Sequence, residues 1–249
     1  MKYILILLLL LIHLNADEKK QKLTIGVGPF IQTQPYKDVD SIILASPVIF
    51  YDDGLFYIRW SRAGVYFLGD KQDDYMWGFS LTAQPRTYSF KASDSQTLAG
   101  LNERKSTWEG GLAFSATYHE AYIEMMAIHD LMNRYDSWIF KTEVGYDIKM
   151  GDFSFYPSLI IVYQSNDFLN YYYGISTEEA IDFAHDEYST NAGFQLGAQT
   201  YIKYPFTDEL SALINIRADR LAEEATDSPI ITENYIYSGL VSLIYTFKY

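Results

Sequence analysis

The 249-residue chain contains no cysteine, so no disulfide supports it and no lipid can be attached to a cysteine behind its apolar leader. Histidine is scarce as well. His119, His129 and His185 lack the paired spacing of a metal site, and no Gly-x-Ser-x-Gly elbow occurs, so catalysis is not expected and no cofactor is called for. Positive charge is in short supply: 19 Lys and Arg stand against 32 Asp and Glu, a formal net charge of -13, which argues against nucleic acid as a partner. Beyond Ile12 no apolar run approaches the roughly 20 residues of a membrane-spanning helix, which excludes a helical inner-membrane protein.

What is present begins with a leader. Lys2 is followed by nine unbroken apolar residues, Ile4 to Ile12, and Ala16 precedes the charged run Asp17-Glu18-Lys19-Lys20, so residues 1–16 read as a cleaved secretory signal and 17–249 as one exported domain. Aromatic residues make up 17% of the chain, 23 of them tyrosine. The dominant pattern is alternation at every second residue. Trp138, Phe140, Thr142, Val144, Tyr146 and Ile148 fall on one face, while Lys141, Glu143, Gly145, Asp147 and Lys149 fall on the other. The same split separates Phe194, Leu196, Ala198 and Ile202 from Gln195, Gly197 and Gln199. It separates Leu210, Ala212, Ile214 and Ile216 from Ser211, Asn215, Arg217 and Asp219, and Trp108, Leu112 and Phe114 from Glu109.

Half-apolar strands of this kind build either a soluble barrel or sandwich, apolar face inward, or an outer-membrane barrel, apolar face outward. Trp60, Trp77, Trp108, Tyr118, Trp138 and Tyr146 sit near strand ends, where interfacial girdles place amphipathic rings, and this favours the membrane barrel. The pattern predicts an all-β, antiparallel, up-and-down barrel of about 12 strands (range about 10–14), with a polar lumen holding Glu109, Lys141, Glu143, Asp147 and Arg217. With both termini periplasmic, the connections at 52–53, 69–73, 119, 149–151 and 203–207 are short, whereas 87–106, 164–189 and 219–235 are long. That asymmetry is the outer-membrane pattern of short periplasmic turns and long external loops. The connection around Ser61 departs from it: two short strands there meet in a tight external turn.

The longest external loop carries "NYYYGISTEEA", residues 170–180. It resembles the Tyr-Tyr-Tyr-Gly-(Val/Ile)-Ser-x-x-Glu-Ala signature of the MipA/OmpV family of outer-membrane proteins. "LAGLNERKSTWEGGL", 98–112, is similar to that family's Leu-x-Gly-Leu-x-x-Arg segment leading into a Glu-Gly-Gly strand, and "RLAEEATDSPI", 220–230, to its Arg-Leu segment running to Asp-Ser-Pro-Ile. The resemblance implies a barrel in the outer-membrane lipid of a Gram-negative cell. For the founding member it implies a non-enzymatic scaffold that joins a murein hydrolase, a membrane-bound lytic transglycosylase, to a bifunctional peptidoglycan synthase. Other members are known as surface antigens or as porin-like or adhesive proteins, so a small channel or surface adhesin is the alternative.

Within the signature, Asn170, Tyr171, Tyr172, Tyr173 and Gly174 are expected to form an aromatic loop packed over the barrel mouth or at the lipid interface, with a ligand- or partner-binding loop as the alternative. Glu178 and Glu179 are expected simply to begin a short helix capped by Ser176. The neighbouring Asp227, Ser228 and Pro229 are candidate contacts for that loop, with Asp227 accepting from a tyrosine hydroxyl or a backbone N–H. His185-Asp186-Glu187 and His129-Asp130 read as solvated polar loop residues.

Overall fold

The structure is a computed structural model describing residues 22–182 and 186–248; the leader at 1–16 and His185 lie outside the described residues. Thirteen strand segments run in chain order: β1 (Lys22–Gln32), β2 (Ile42–Asp52), β3 (Phe56–Arg59), β4 (Arg62–Lys71), β5 (Tyr75–Arg86), β6 (Thr107–Tyr118) and β7 (Ala121–Asp130). They continue as β8 (Trp138–Tyr146), β9 (Ile148–Met150), β10 (Phe153–Gln164), β11 (Gly193–Pro205), β12 (Leu210–Arg220) and β13 (Tyr235–Lys248). Both β8 and β9 pair with β10, so they are two parts of one strand interrupted at Asp147. The result is a closed, antiparallel, 12-strand barrel. Closure comes from β1 pairing with β13, Lys22 opposite Lys248 and Gln32 opposite Ser238, which leaves no terminal edge between the first and last strands.

Alternation places the two faces as the sequence pattern predicts. Leu112, Phe140, Val144, Leu159, Phe194, Leu196, Ile216 and Val241 point outward and are exposed, with Leu159 63% accessible, while Glu109, Glu143, Gln195, Asn215 and Asp219 are buried inside. A protein in water would lose the hydrophobic stabilisation of that outer surface, whereas in a bilayer the surface meets hydrocarbon. Tyr75, Tyr118, Tyr146, Tyr245 and Phe247 ring the end with short turns, and Trp108, Trp138, Tyr235 and Tyr237 ring the other. Trp60 is an exception to the girdle expected of it. It turns inward, its indole N–H donating to Ser46 Oγ at 3.0 Å and its ring packing edge-on against Phe30 and Tyr201. Its backbone, at φ +59°, is part of the tight turn that reverses the chain, and that geometry aims the ring at the lumen rather than the lipid.

The periplasmic turns need little chain. His119 (φ +50°) and Gly151 (φ +60°) adopt the left-handed conformation that lets so few residues reverse direction. On the opposite side the loops fold into structure of their own, including helices α1 (Asn166–Tyr173), α2 (Thr177–Asp182) and α3 (Glu223–Thr226). No helix among the described residues is long and apolar enough to cross a membrane.

Candidate functional site

Two regions concentrate the residues singled out above: a cap formed by the external loops, and the lumen beneath it. The cap starts at Ser165, whose Oγ accepts from Phe168 N–H at 3.2 Å and starts α1. Helical periodicity then puts Phe168, Leu169, Tyr172 and Tyr173 on one face, and all four are buried. The three tyrosines thus belong to a helix, which is how consecutive rings find different surroundings. Tyr171 sits on the flank and its hydroxyl accepts from Lys105 N–H at 2.8 Å. Asn170 exchanges two hydrogen bonds with the backbone of Thr190. Gly174 ends the helix where a Cβ would lie 2.5 Å from Asn170 O, so only glycine fits.

Beyond Gly174, Ser176 caps α2 as expected: Glu179 N–H donates to Ser176 Oγ at 3.2 Å, and Ser176 N–H donates back to Glu179 Oε2 at 2.9 Å. Glu178 is exposed, but Glu179 does much more than begin a helix. It is 5% accessible and meets the Arg104 guanidinium along both edges, at 2.8 and 3.0 Å, while Asn102 N–H donates to it at 2.8 Å. Arg104 also donates to the carbonyls of Asn102 and Gly174, and stacks over Phe90. Burial by itself would raise the Glu179 carboxyl pKa; the hydrogen bonds from Arg104, Ser176 and Asn102 outweigh it and hold the group at about 2. Sequence reasoning missed this pair although Arg104 and Glu179 stand in two segments that carry the same family resemblance, because a surface helix start explains an acidic residue equally well.

The third segment joins the same unit, through a residue other than the one expected. Asp227 is exposed, and among the described residues no tyrosine hydroxyl donates to it; its backbone N–H donates to Glu223 O as α3 ends. Ser228 is the buried member, donating from Oγ to Tyr173 O at 2.6 Å, and the exposed Pro229 leads to Ile230, whose carbonyl accepts from Lys37 N–H. The reason is geometric: Asp227, capping a short helix, points to solvent, and the chain turns inward only one residue later. Tyr36 completes the contact by donating to Tyr172 O at 3.2 Å. Desolvation holds the Tyr36 and Tyr173 hydroxyls well above the usual tyrosine range, so the cap interior is uncharged apart from its ion pairs.

The cap rests on the top of the lumen. Tyr135 packs edge-on against Phe168 and donates to Glu109 Oε1 at 2.7 Å, and Arg86, paired with Glu109, lies over the Phe168 ring at 4.9 Å. The apolar cluster of the cap continues into Met126, Ile128 and Ile139 on the inner wall, so it lies across the mouth. Asp130, expected in a solvated loop, is 2% accessible; its carboxylate accepts from Thr107 and from the N–H groups of Met132, Arg134, Tyr135 and Asp136, pinning the 131–137 turn.

The structure places the five charged residues assigned to the lumen on its inner wall. Glu109 binds Arg86 and Gln84; Lys141 pairs with Glu143 at 2.8 Å; Glu143 also accepts from Tyr122, Ser158 and Gln199; and Arg217 pairs with Asp219. Asp147 lies lower down, facing a cavity of about 1030 Å³ that runs from Lys22 and Lys203 at the periplasmic end to Gln164 and Gln195 below the cap. Arg59 and Arg62 both pair with Glu124, a further cluster that the sequence pattern left unassigned. Opposite charges sharing a low-dielectric wall pair rather than project.

Comparison with known proteins settles the family. Residues 25–247 match the family described as MltA-interacting protein MipA. The chain belongs to that family. Relatives include the MltA-interacting protein of Escherichia coli strain K12, 27% identical over 230 residues, covering 92% of this chain and 90% of that one. The putative outer membrane protein YiaT of the same strain is 26% identical over 236 residues (93% and 94%), and OmpV of Vibrio cholerae 28% over 212 residues (82% and 79%). Among solved structures, the CymD monoaromatic hydrocarbon channel aligns over 93% of this chain and 90% of its own with a TM-score of 0.44 at 9% identity. This MipA-family barrel is an outer-membrane protein.

Proposed function

We propose that the protein is a non-catalytic scaffold of the outer membrane that holds peptidoglycan-processing proteins, a murein hydrolase and a synthase, against its periplasmic face. The observation that supports this best is the cap. An apolar, hydrogen-bonded plug across the external mouth and a lumen whose charges pair with one another suit a rigid frame better than an open conduit. The periplasmic turns supply a contact surface, with carboxylates of Asp74, Asp152, Asp208 and Glu209 around the rim, which favours a basic patch on the partner. The name of the E. coli relative, MltA-interacting protein, points to the hydrolase class.

The test is binding of the refolded protein to a purified membrane-bound lytic transglycosylase, with planar-bilayer recording alongside. Saturable binding that falls at least tenfold in the Asp74→Lys/Asp152→Lys/Asp208→Lys variant, together with an electrically silent bilayer, supports the scaffold. Steady ion-selective steps without hydrolase binding would replace it with a porin-like channel.

A further inference from the structure

The barrel wall is incomplete on one side. β3 has only four residues and pairs with β2 at Phe50, Tyr51 and Asp52 alone, and the hairpin it forms with β4 reverses at Trp60 and Ser61. On the external side of that reversal β2 continues to Ile42 and β5 to Arg86, and among the described residues neither has a strand partner facing the other. The opening lies on the external side of the wall. Its β2 rim carries Ile43, Leu44, Ala45 and Pro47, all exposed.

Both rims carry a proline, and both prolines face the opening. Backbone groups of alternate residues in a strand point to opposite neighbours. Ile49 O accepts from Trp60 N–H, on the β3 side, so Pro47, two residues away, faces that side too. On the other rim, Trp108 O accepts from Leu131 N–H and so faces β7; its partner Pro85 therefore turns its ring nitrogen away from β6 and toward the opening. A strand edge in hydrocarbon must satisfy its donors, and proline has none to satisfy. The same feature removes one ladder bond from each rim and so weakens pairing with any added strand.

Behind the opening lies the cavity. Leu44, Ser46, Trp60, Ser61, Gln84 and Pro85 line it, so it reaches the gap in the wall. Leu44 shares the inward face of β2 with the buried Ser46 and Val48, yet is 42% accessible, which marks the gap as open. Inside, an apolar collar of Phe30, Val48, Trp60, Tyr201 and Leu213 adjoins Arg59 and Arg62, which share the Glu124 carboxylate, Arg59 also reaching Asp52 at 3.3 Å, so that the remaining guanidinium N–H groups are the donors left for a head group.

We propose that this opening is a lateral portal through which a single-chain amphiphile with a carboxylate head passes between the outer leaflet and the barrel interior, its tail against the Trp60 collar and its head toward Arg59 and Arg62. The proposal does not rest on the scaffold reading and shares with it only the cap that closes the external mouth. The cap closes the mouth above the portal, so lipid, rather than the external solution, is the source.

Trp60 is one of four tryptophans, so Trp77→Phe/Trp108→Phe/Trp138→Phe leaves it as the only reporter. This protein, refolded in phosphatidylcholine vesicles, is titrated with 12-bromododecanoate, whose bromine quenches indole at short range. Saturable quenching of at least half the emission is expected. Adding Leu44→Phe and Ser61→Phe to fill the portal should weaken the apparent affinity at least fivefold while the protein keeps its heat-modifiable gel band. If that variant loses the band, Gln84→Phe on the opposite rim gives the same reading. Absence of saturable quenching, or an affinity unchanged in the filled, folded variant, overturns the proposal; the second result would place entry at the periplasmic mouth.

Discussion

At the periplasmic end, β6 and β7 reverse at His119 and Glu120, β9 and β10 at Gly151 and Asp152, and the carboxylates of these turns stand in solvent. At the external end a carboxylate of the same type, Glu179, is buried against an arginine 75 residues away in sequence. One end is made of local reversals and the other of contacts between loops that are distant in sequence. The turns keep their form whatever their neighbours do, whereas the cap exists only once the barrel has brought the 87–106, 165–192 and 221–234 loops to one rim. A fault in the cap should therefore stay in the cap, and a fault in the wall should prevent both.

The largest expected effect tests that separation. Arg104→Ala leaves the Glu179 carboxylate buried without its partner, a loss of about 3–5 kcal/mol. It should convert the cap from slow to rapid proteolysis on intact cells while the heat-modifiable barrel band persists; loss of the band would show that wall and cap are one cooperative unit. Acid should do the same reversibly. Because the Glu179 pKa is lowered, its contribution is complete above its unfolded value near 4.3, and about 3 kcal/mol is lost as pH falls toward about 2. Proteolysis with an acid-active protease should accelerate across that window in the parent and much less in Glu179→Gln.

Leu112→Arg puts a charge on the lipid face, at a cost of about 2–4 kcal/mol near the midplane, and should reduce the folded band itself, cap included. Ser228→Ala removes the donor to Tyr173 O and leaves a buried carbonyl unpaired, about 1–3 kcal/mol, so the 165–192 loop should be cut several-fold faster. Asp227→Ala, one residue earlier, alters an exposed side chain and should change the cleavage rate by less than a factor of two.

How much of this was legible in the sequence follows the same division. The strands of the wall were readable because their signal has a period of two and lies within ten residues: Trp138 to Ile148 states its two faces without help from any other strand. The turn at Ser61 was readable as a tight reversal of two short strands. That it leaves a gap was not, since the gap is a property of how far β2 and β5 extend past that turn. Trp60 counted as an interfacial ring by its position near a strand end, and only the positive φ of its turn sends it inward. Asp130 looked like any acid at a strand end until five donors converged on it.

The sequence by itself determined the strand faces, the alternation of short and long connections and, through three separated segments, the family resemblance. These are properties of neighbours along the chain. The tertiary structure alone decided that Arg104 meets Glu179, that Ser228 rather than Asp227 touches the tyrosine helix, and that the lumen charges pair as they do. Each of these depends on which residues barrel closure brings within about 3 Å, a hydrogen-bond distance that alternation along a single strand does not encode.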